Sequence, residues 1–441
     1  MLQIDGTKTK TPTSPRELIH SIGTTVTLQG AIYKIRTMSG FAFVIIRTHN
    51  TLVQGIYHPD FSEFPLELLK EEACVTITGK VVEDKRSKTG YEIHLMKVKI
   101  LSSPIQVLPV VINNKNMVVS MDTLIDYRPI TLRNEKERTI FKLQEGICRG
   151  FRSFLFLNNF TEIHTPKIVS AGAEGGANIF KLDYFGRDAY LAQSPQFYKQ
   201  MMVGVYERVF EIAPVYRAEK HDTSRHLNEY ISVDFEMGYL EDYTELMHME
   251  TQMLKYTLDF LKSNYAYELD LLKVNLPEIS GIPAIRFHTA KEMIAKEYHR
   301  EMKDMEDFEP EEEKLLYEMI KKRTGSEFVF ITHYPSKKRP FYTMDDRENP
   351  ELTLSFDLLF RGLEITTGGQ RIHNYREQLS KLISRGMNPE AFDSYLMLHK
   401  YAVPPHGGLG LGLERFTSRL LEQSNVRYSC LFPRDINRLI P

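Results

Sequence analysis

The feature that most limits the fold is a change of hydrophobic period part-way along the chain. From Thr24 to Leu101, short runs of β-branched and aromatic residues (TVTLQGAIYKI, GFAFVIIR, TLVQGIY, ACVTITGKVV, YEIHLMKVKIL) alternate with turn signals such as Ser39-Gly40 and Thr89-Gly90. That is the signature of short, half-buried strands. Beyond Asn134 the period becomes helical. Ile140, Leu143, Ile147, Phe151, Phe154 and Leu155 fall at helical spacing behind Asn134, a good N-cap, and predict a long amphipathic helix up to Leu157. A chain of 441 residues is too long for one ordinary core, so the two patterns read as two domains.

The first pattern reads as a five-stranded small barrel over residues 1–104. Its one helical-looking interruption, SEFPLELLKEEA, falls between the third and fourth strands, where an OB-fold carries its helix; another small β-barrel stays open on pattern alone. Residues 105–133 lack clean periodicity and, with prolines at 104, 109 and 129, read as a hinge or linker. Within 134–441, strand-like runs (RVFEIAPVYR, YISVDFEMGYL, FVFITHYP, LTLSFDLLFRGLEIT) are interspersed with helices (YTELMHMETQMLKYTLDFLKSN, EEEKLLYEMIKKR, EQLSKLISRG). An antiparallel sheet flanked by helices fits this better than alternating βαβ units, making the chain α+β. The acidic stretch EMKDMEDFEPEEEK reads as a solvated helical face.

Composition excludes more than it assigns. At 42% hydrophobic and 26% charged the chain is an ordinary globular protein. Its three cysteines, Cys74, Cys148 and Cys430, stand far apart with no CxxC or His cluster, against a disulfide framework or a zinc site. No apolar run approaches the ~18 residues of a membrane span, and MLQIDGTKTKTPTSPRE has no apolar signal core; the cytoplasm is the expected compartment. The net charge of −2 hides an asymmetry: residues 1–104 carry 13 Lys and Arg against 10 Asp and Glu, a net +3, and the remainder 43 against 48, a net −5. This permits polyanion binding through the small domain and through local patches on the large one.

Two familiar phosphate-binding patterns fail. No GxxxxGK[ST] is present, and the run from Gly407 to Gly412 (GGLGLG) leads into Leu-Glu-Arg rather than following a first strand. What remains is a set of charges in apolar, strand-like context: Arg217 and Glu219 after FEIAPVY, Asp234 and Glu236 in ISVDFEM, Asp357 in SFDLLF, Glu364 and Arg371 around ITTGGQ, Glu414 and Arg415 after GLGLGL. Such charges are costly unless paired or bound. Any one of them reads equally well as a structural ion pair; the whole set, with both signs repeated beside glycines, reads as a site for a charged ligand.

These residues carry a resemblance. FTEIHTPKI (Phe160 to Ile168, with Pro166) resembles motif 1 of class II aminoacyl-tRNA synthetases, VYRAEKHDTSRHLNEYISVDFEM resembles motif 2, and GLGLGLERF resembles motif 3. With EGG, QSPQFYKQ and GGQRIHN, nearly the whole chain is similar to aspartyl-tRNA synthetases of the archaeal and eukaryotic kind. The resemblance implies ATP-dependent ligation of L-aspartate to tRNA through an aspartyl-adenylate, with release of AMP and pyrophosphate. Two anions meet at the α-phosphorus, so cations must surround that centre. By resemblance Arg217 bridges the amino-acid carboxylate and the α-phosphate, and Arg415, helped by His226, holds the γ-phosphate. Tyr230 stacks on adenine; Glu219 lies near the base or the tRNA end. Arg217, Arg415 and Glu219 are thus the expected catalytic residues, with Glu364 also among the ATP contacts. Asp357, Glu364 and Thr367 are carried over as the Mg2+ site, though a serine is usual at Thr367. Lys199 and Arg371 contact the substrate carboxylate, Asp234 balances the lysine, and Glu174, Ser194 and Gln196 position the ammonium and close the site.

For the barrel, the resemblance implies reading of the anticodon of tRNA(Asp), and possibly tRNA(Asn): Phe43 stacks on a splayed base and Gln54 bonds its edge, with Arg36 and Glu92 on neighbouring strands. Read without the family, Phe43 is a core aromatic. The chain departs from the usual pattern in lacking tryptophan, in Ala173 where threonine is common, in Tyr230 for phenylalanine, and at Tyr33, where relatives differ with their choice of tRNA. An asparaginyl enzyme is the nearest rival, opposed by Lys199. A repurposed ligase is opposed by the barrel, and an inactive synthetase-like binder by the presence of Arg217, Glu364 and Arg415. A two-fold homodimer through motif 1 is expected.

Overall fold

The computed structural model describes residues 18–49, 51–87, 89–172, 178–302 and 304–441. The chain divides into two compact units, up to Arg138 and from Thr139 onward. In the first, strands β1 (Thr25–Thr37), β2 (Ala42–Arg47), β3 (Leu52–Tyr57), β4 (Cys74–Glu83) and β5 (Tyr91–Ser102) close a barrel in the order β1-β2-β3-β5-β4. Alternation is plain in β2, where Ala42, Val44 and Ile46 are buried and Phe43, Ile45 and Arg47 are not. The inward set from all five strands fills one core with Leu28, Ile32, Val53, Ile77 and Ile93. Between β3 and β4 the expected helix is a single 3-10 turn, Leu66–Leu68, held by its own backbone bonds; Pro65 starts it and the chain is extended again by Leu69.

A register shift between β1 and β2 falls at Tyr33. The ring lies outside the barrel core, packed on Val110 and Ile112, and its hydroxyl donates to the Ile112 carbonyl at 2.6 Å. Residues 105–133, read as a hinge, therefore pack against the barrel and include short helices at Met121–Asp126 and Arg128–Thr131. Asn134 caps the next helix as expected, accepting from the amides of Lys136 and Glu137, and its amide nitrogen also donates to Ile112 and Asn114 carbonyls.

The second unit is built on helix Glu135–Leu157, whose buried face includes every residue of the predicted stripe. Strand β6 (Thr161–Glu162) follows, then β7 (Ile168–Val169), β8 (Lys181–Tyr184) and β9 (Arg187–Leu191), which form a small separate sheet. The main sheet adds β10 (Arg208–Tyr216), β11 (Glu229–Gly238), β12 (Ala284–Arg286), β13 (Phe328–Thr332), β14 (Ser355–Phe360), β15 (Leu363–Gln370) and β16 (His406–Gly412) in the order β12-β13-β14-β15-β16-β11-β10-β6. It is antiparallel except for the outer pairs β12–β13 and β6–β10. One face packs Val233, Phe235, Phe356, Leu358, Leu409 and Leu411 against helices Glu135–Leu157 and Thr244–Asn264. Because strand side chains alternate, the opposite face receives Ser232, Asp234 and Glu236 from β11, Ser355 and Asp357 from β14, and glycines from β16.

The acidic stretch departs from expectation. Its helix begins only at Pro310, with Glu309 and Glu312 forming a capping box, and Glu312 and Glu313 are buried rather than solvated. Each has a cation: Glu312 accepts from Lys291 at 2.6 Å and Glu313 from Arg225 at 2.8 Å.

Glu250, on helix Thr244–Asn264, is fully buried and its oxygens make no hydrogen bond of acceptable geometry. Burial pushes its carboxyl up to about 8, opposed by the Thr366 hydroxyl and helped by the charge of Asp357. The folded acid keeps its proton across a range where the unfolded one, near 4.5, has lost it. This contribution to stability is therefore full below the unfolded value and is lost as the pH rises through about 8. The neutral isostere Glu250→Gln should raise the melting temperature at pH 8.5 by about 2 °C or more and change little at pH 5, measured by calorimetry.

Candidate active site

The polar face of the main sheet floors a cavity of about 750 Å³, within the usual range for small-ligand sites. Its wall contains Ser194, Gln196, Lys199, Arg217, Glu219, His226, Tyr230, Asp234, Asp357, Glu364, Thr367, Arg371 and Arg415. Thus the sequence-derived candidates of the large unit converge on one place; Glu174 lies outside the described residues.

At one end sit four buried charges. Lys199, on helix Gln196–Tyr206, is 2% exposed; its ammonium donates to Asp234 Oδ1 and to the Leu409 carbonyl, both at 2.8 Å, and lies 3.4 Å from Glu236. Arg371 donates through Nε to Glu236 at 2.9 Å and through Nη2 to the Gly408 carbonyl at 2.9 Å, with its guanidinium over the Tyr342 ring. Burial alone would raise the Glu236 carboxyl, yet Arg371 and Lys199 hold it below its ordinary value. Glu236 stood in the set of charges read as a charged-ligand site but was given no role of its own, although its spacing of two from Asp234 on one strand puts both on one face.

The glycines of β16 make this packing possible. A Cβ at Gly408 would stand 2.1 Å from the Phe235 carbonyl oxygen and 2.2 Å from Glu236 Oε2, and one at Gly410 would meet Asp234 Oδ1 at 3.1 Å. The GGLGLG run is a slot for carboxylates, with its leucines turned into the core.

The other end is rich in guanidinium groups. The base of the β10–β11 loop is clamped by Asn228, which donates to the carbonyls of Arg217 and Glu219 at 2.6 and 2.9 Å. His226 accepts or donates at Thr223 Oγ1, 2.6 Å away, and is 3.7 Å from Glu219. Burial and the Arg415 charge hold its imidazole below the ordinary value. Tyr230 packs with Leu227, Val426 and Cys430, and burial raises its phenol. Arg415 lies 3.4 Å from Glu364 Oε1 and donates to the Glu364 carbonyl at 3.1 Å.

A bulge explains why Glu364 and Thr367 share a face. Residues three apart on a strand normally point to opposite sides, but the β14–β15 register shifts at Leu358/Leu359, so Leu358 pairs with Thr366 and Leu359 with Glu364. The extra residue restores parity, and Thr367 Oγ1 donates to Glu364 Oε1 at 3.1 Å. Asp357, paired with Thr367 across the strands, meets Arg339 at 2.8 Å. Burial and the Glu364 charge raise its carboxyl, against the pull of Arg339. In Glu364 burial acts the same way, but Arg415, Arg225 and Arg339 prevail and lower it. Arg225 and Arg339 escaped the sequence reading, the first sitting in a loop and the second in the basic run KKRP. Glu414 faces the backbone, accepting from the Ile231 amide, and burial lifts it to about 8.

On the barrel, Phe43 stands on the outward face of β2 and Gln54 on that of β3, where Gln54 pairs with Ile45 and Phe43 with Ile56. Arg36 is the cross-strand partner of Phe43 on β1, and Glu92 on β5 contacts His94 at 3.1 Å.

These two arrangements match known families. Residues 120–436 match the model of tRNA synthetases class II (D, K and N), and residues 26–101 that of the OB-fold nucleic acid binding domain. The chain is 44% identical to the aspartate–tRNA(Asp/Asn) ligase of Thermus thermophilus, over 97% of this chain and 99% of that protein. To the enzyme of the same name from Deinococcus radiodurans it is 43% identical, over 97% and 98%. Among solved structures, the asparaginyl-tRNA synthetase of Pyrococcus horikoshii complexed with asparaginyl-adenylate superposes with a TM-score of 0.89 at 28% identity, covering 96% of this chain and 97% of that one. With its barrel, its glycine-slotted sheet and these matches over almost its whole length, the chain belongs to the class II tRNA synthetases of the D, K and N group.

Proposed function

We propose that the protein activates L-aspartate with ATP and transfers it to tRNA(Asp), and that the observation carrying this reading is the buried Lys199–Asp234–Glu236–Arg371 quartet at the cavity floor. With the quartet itself balanced, a substrate side-chain carboxylate offsets the substrate's own ammonium at this desolvated end, whereas a side-chain amide leaves that ammonium uncompensated. In this reading Lys199 and Arg371 hold that carboxylate, while Ser194 and Gln196 orient the ammonium. Glu174 belongs with them by resemblance. Arg217 draws the α-carboxylate toward the α-phosphorus, where its oxygen attacks and pyrophosphate leaves. Arg415 and His226 hold the outer phosphates, Tyr230 stacks on adenine, and Glu219 stands beside the base or the tRNA end. The Thermus and Deinococcus relatives, named for both tRNAs, favour a second reading in which tRNA(Asn) also receives aspartate.

Asp357, Glu364 and Thr367 suit Mg2+. Their oxygens are hard donors, Asp357 Oδ1 is buried with no hydrogen bond of acceptable geometry, and Mg2+ completes its shell with water and phosphate rather than a full protein cage. When bound, the ion would neutralise phosphate charge. Among the described residues no group of three or more His, Cys, Asp or Glu surrounds a cation position. Residues 1–104 would bind the anticodon, 105–133 connect, and 134–441 catalyse. A homodimer through Phe160 to Ile168 is supported by β6 lying at the end of the main sheet, with Phe156, Leu157 and Ile168 exposed nearby in sequence. No helix of the described residues is long and apolar enough to cross a membrane; we place the protein in the cytoplasm.

Purified protein should exchange pyrophosphate into ATP with aspartate and not asparagine, and charge tRNA(Asp); exchange supported by asparagine instead would sink the reading. Lys199→Met should cut kcat/KM for aspartate by about 100-fold or more, with folding checked by circular dichroism. Asp357→Asn should raise the Mg2+ needed for half-maximal exchange by about 10-fold or more. Phe43→Ala should leave exchange intact while raising the KM for tRNA by about 10-fold. A Phe43→Ala enzyme with wild-type tRNA KM would remove that residue from the anticodon site.

A further inference from the structure

Behind the amino-acid end of the cavity runs a buried chain of hydrogen bonds. Arg371 Nη2 donates to Gln196 Oε1 at 3.5 Å, and Gln196 Nε2 donates to Gln200 Oε1 at 3.0 Å. Gln200 Nε2 meets His406 Nε2 at 2.8 Å, and His406 Nδ1 lies 2.8 Å from the Pro404 carbonyl oxygen. Gln200 and His406 are fully buried. A guanidinium can only donate and a carbonyl can only accept, so each end fixes a direction. Both ends give the same assignment: His406 is neutral, carries its proton on Nδ1, and accepts from Gln200 through the lone pair of Nε2. The Tyr395 hydroxyl lies 3.3 Å from the same Gln200 atom and 3.4 Å from Gln378 Oε1, and its single proton can serve either. Burial pushes His406 down to about 4; Glu236 and the Pro404 carbonyl oppose, while His399 and Arg371 add to the effect.

A glutamine amide has nearly the same shape either way round, so packing alone does not decide which atom Gln196 shows to the cavity. An ammonium requires the oxygen. Were His406 an imidazolium, its Nε2–H would face the Gln200 NH2, Gln200 would turn over, and its NH2 would confront that of Gln196. We infer that Gln200 and His406 are positioning residues of the amino-acid site, whose relay holds the Gln196 amide with its oxygen toward Arg371 and the substrate ammonium. This rests on the aspartate-activating reading given above.

The relay is tested with two substitutions at Gln200. Gln200→Leu removes the acceptor for Gln196 and should raise the KM for aspartate in pyrophosphate exchange by about 10-fold, with kcat and the KM for ATP nearly unchanged. Gln200→Glu keeps that acceptor, and its second carboxylate oxygen can accept a hydrogen bond from a protonated His406 Nε2, so it should recover most of the aspartate KM. In 15N spectra of histidine-labelled protein, the His406 signal, identified by its loss in His406→Met, should show a protonated Nδ1 and bare Nε2 in wild type and an imidazolium in Gln200→Glu. An unchanged aspartate KM in Gln200→Leu, equal losses in both variants, or a wild-type imidazole with bare Nδ1 would overturn the inference. Wild-type protein without aspartate-dependent exchange would sink the underlying reading instead, and the imidazole spectrum would still decide the relay by itself.

Discussion

The structure of the catalytic unit turns on the contact between two carboxylates and two cations beneath a strip of glycines. Lys199, Asp234, Glu236 and Arg371 are all nearly inaccessible to water, and desolvating four charges is costly unless each finds both a counter-ion and enough hydrogen-bond partners. The β16 glycines supply the second requirement as well as the space. With no side chain above the strand, the carboxylates of β11 lie against it, and the carbonyls of Gly408 and Leu409 each accept one further bond, from Arg371 and Lys199. A Cβ at Gly408 would displace a carboxylate and so leave a buried cation exposed to no partner. The run that failed as a nucleotide loop is thus the backbone half of an ion-binding floor.

The opposite end of the cavity is organised by the same rule with looser closure. Arg225 leans on Glu313, Arg339 on Asp357 and Arg415 on Glu364, so each guanidinium is held in position before any anion arrives. Fixed donors of this kind do not have to reorganise as charge builds up on a ligand. The cost falls on the carboxylates: burial raises Glu313 to about 7, with a smaller push from the Glu364 charge, against the pull of Arg225 and Arg415. Glu364 itself is surrounded by three arginines and remains ionised.

How much of this was legible depended on the distance over which information travels along the chain. Period-two and period-3.6 patterns are local, and they located the barrel strands, the helix Glu135–Leu157 and the strands bearing Asp234 and Asp357. The motifs brought the charged candidates to one cavity, because each motif is a strand end or a strand-to-helix turn whose geometry is also local. Partners from distant segments were not legible. Glu313 lay in an acidic run indistinguishable from a solvated face until Arg225 was seen to reach it across 88 residues, and nothing near Arg339 in the sequence pointed to Asp357 as its partner. The 3-10 turn at Leu66–Leu68 was overcalled as a helix, since a good amphipathic composition does not show that the flanking segment is extended. Phe43 was ambiguous for the opposite reason: an aromatic on a strand suits either face, and only the closed barrel order settles which is outward.

Charge balance links the two ends of the cavity. In the quartet two cations meet two anions, so under the proposed function a bound aspartate would add one carboxylate and one ammonium there, with its α-carboxylate directed to Arg217. Across the rest of the wall, Arg225, Arg339 and Arg415 are already matched by Glu313, Asp357 and Glu364. A triphosphate entering that region also meets Arg217, Lys337, Lys338 and Arg385 on the wall, but at the corner of Asp357 and Glu364 its negative charge would face two carboxylates. Either the carboxylates take up protons or cations come in with the ligand. Asp357 and Glu364 both line the cavity, and the bulge in β15 puts Glu364 on the same side as Thr367 and its cross-strand partner Asp357. Hard oxygens placed where charge is short are the condition under which a divalent cation binds together with its phosphate ligand, which is why we assign Mg2+ to this corner of the sheet rather than to the arginine-lined remainder.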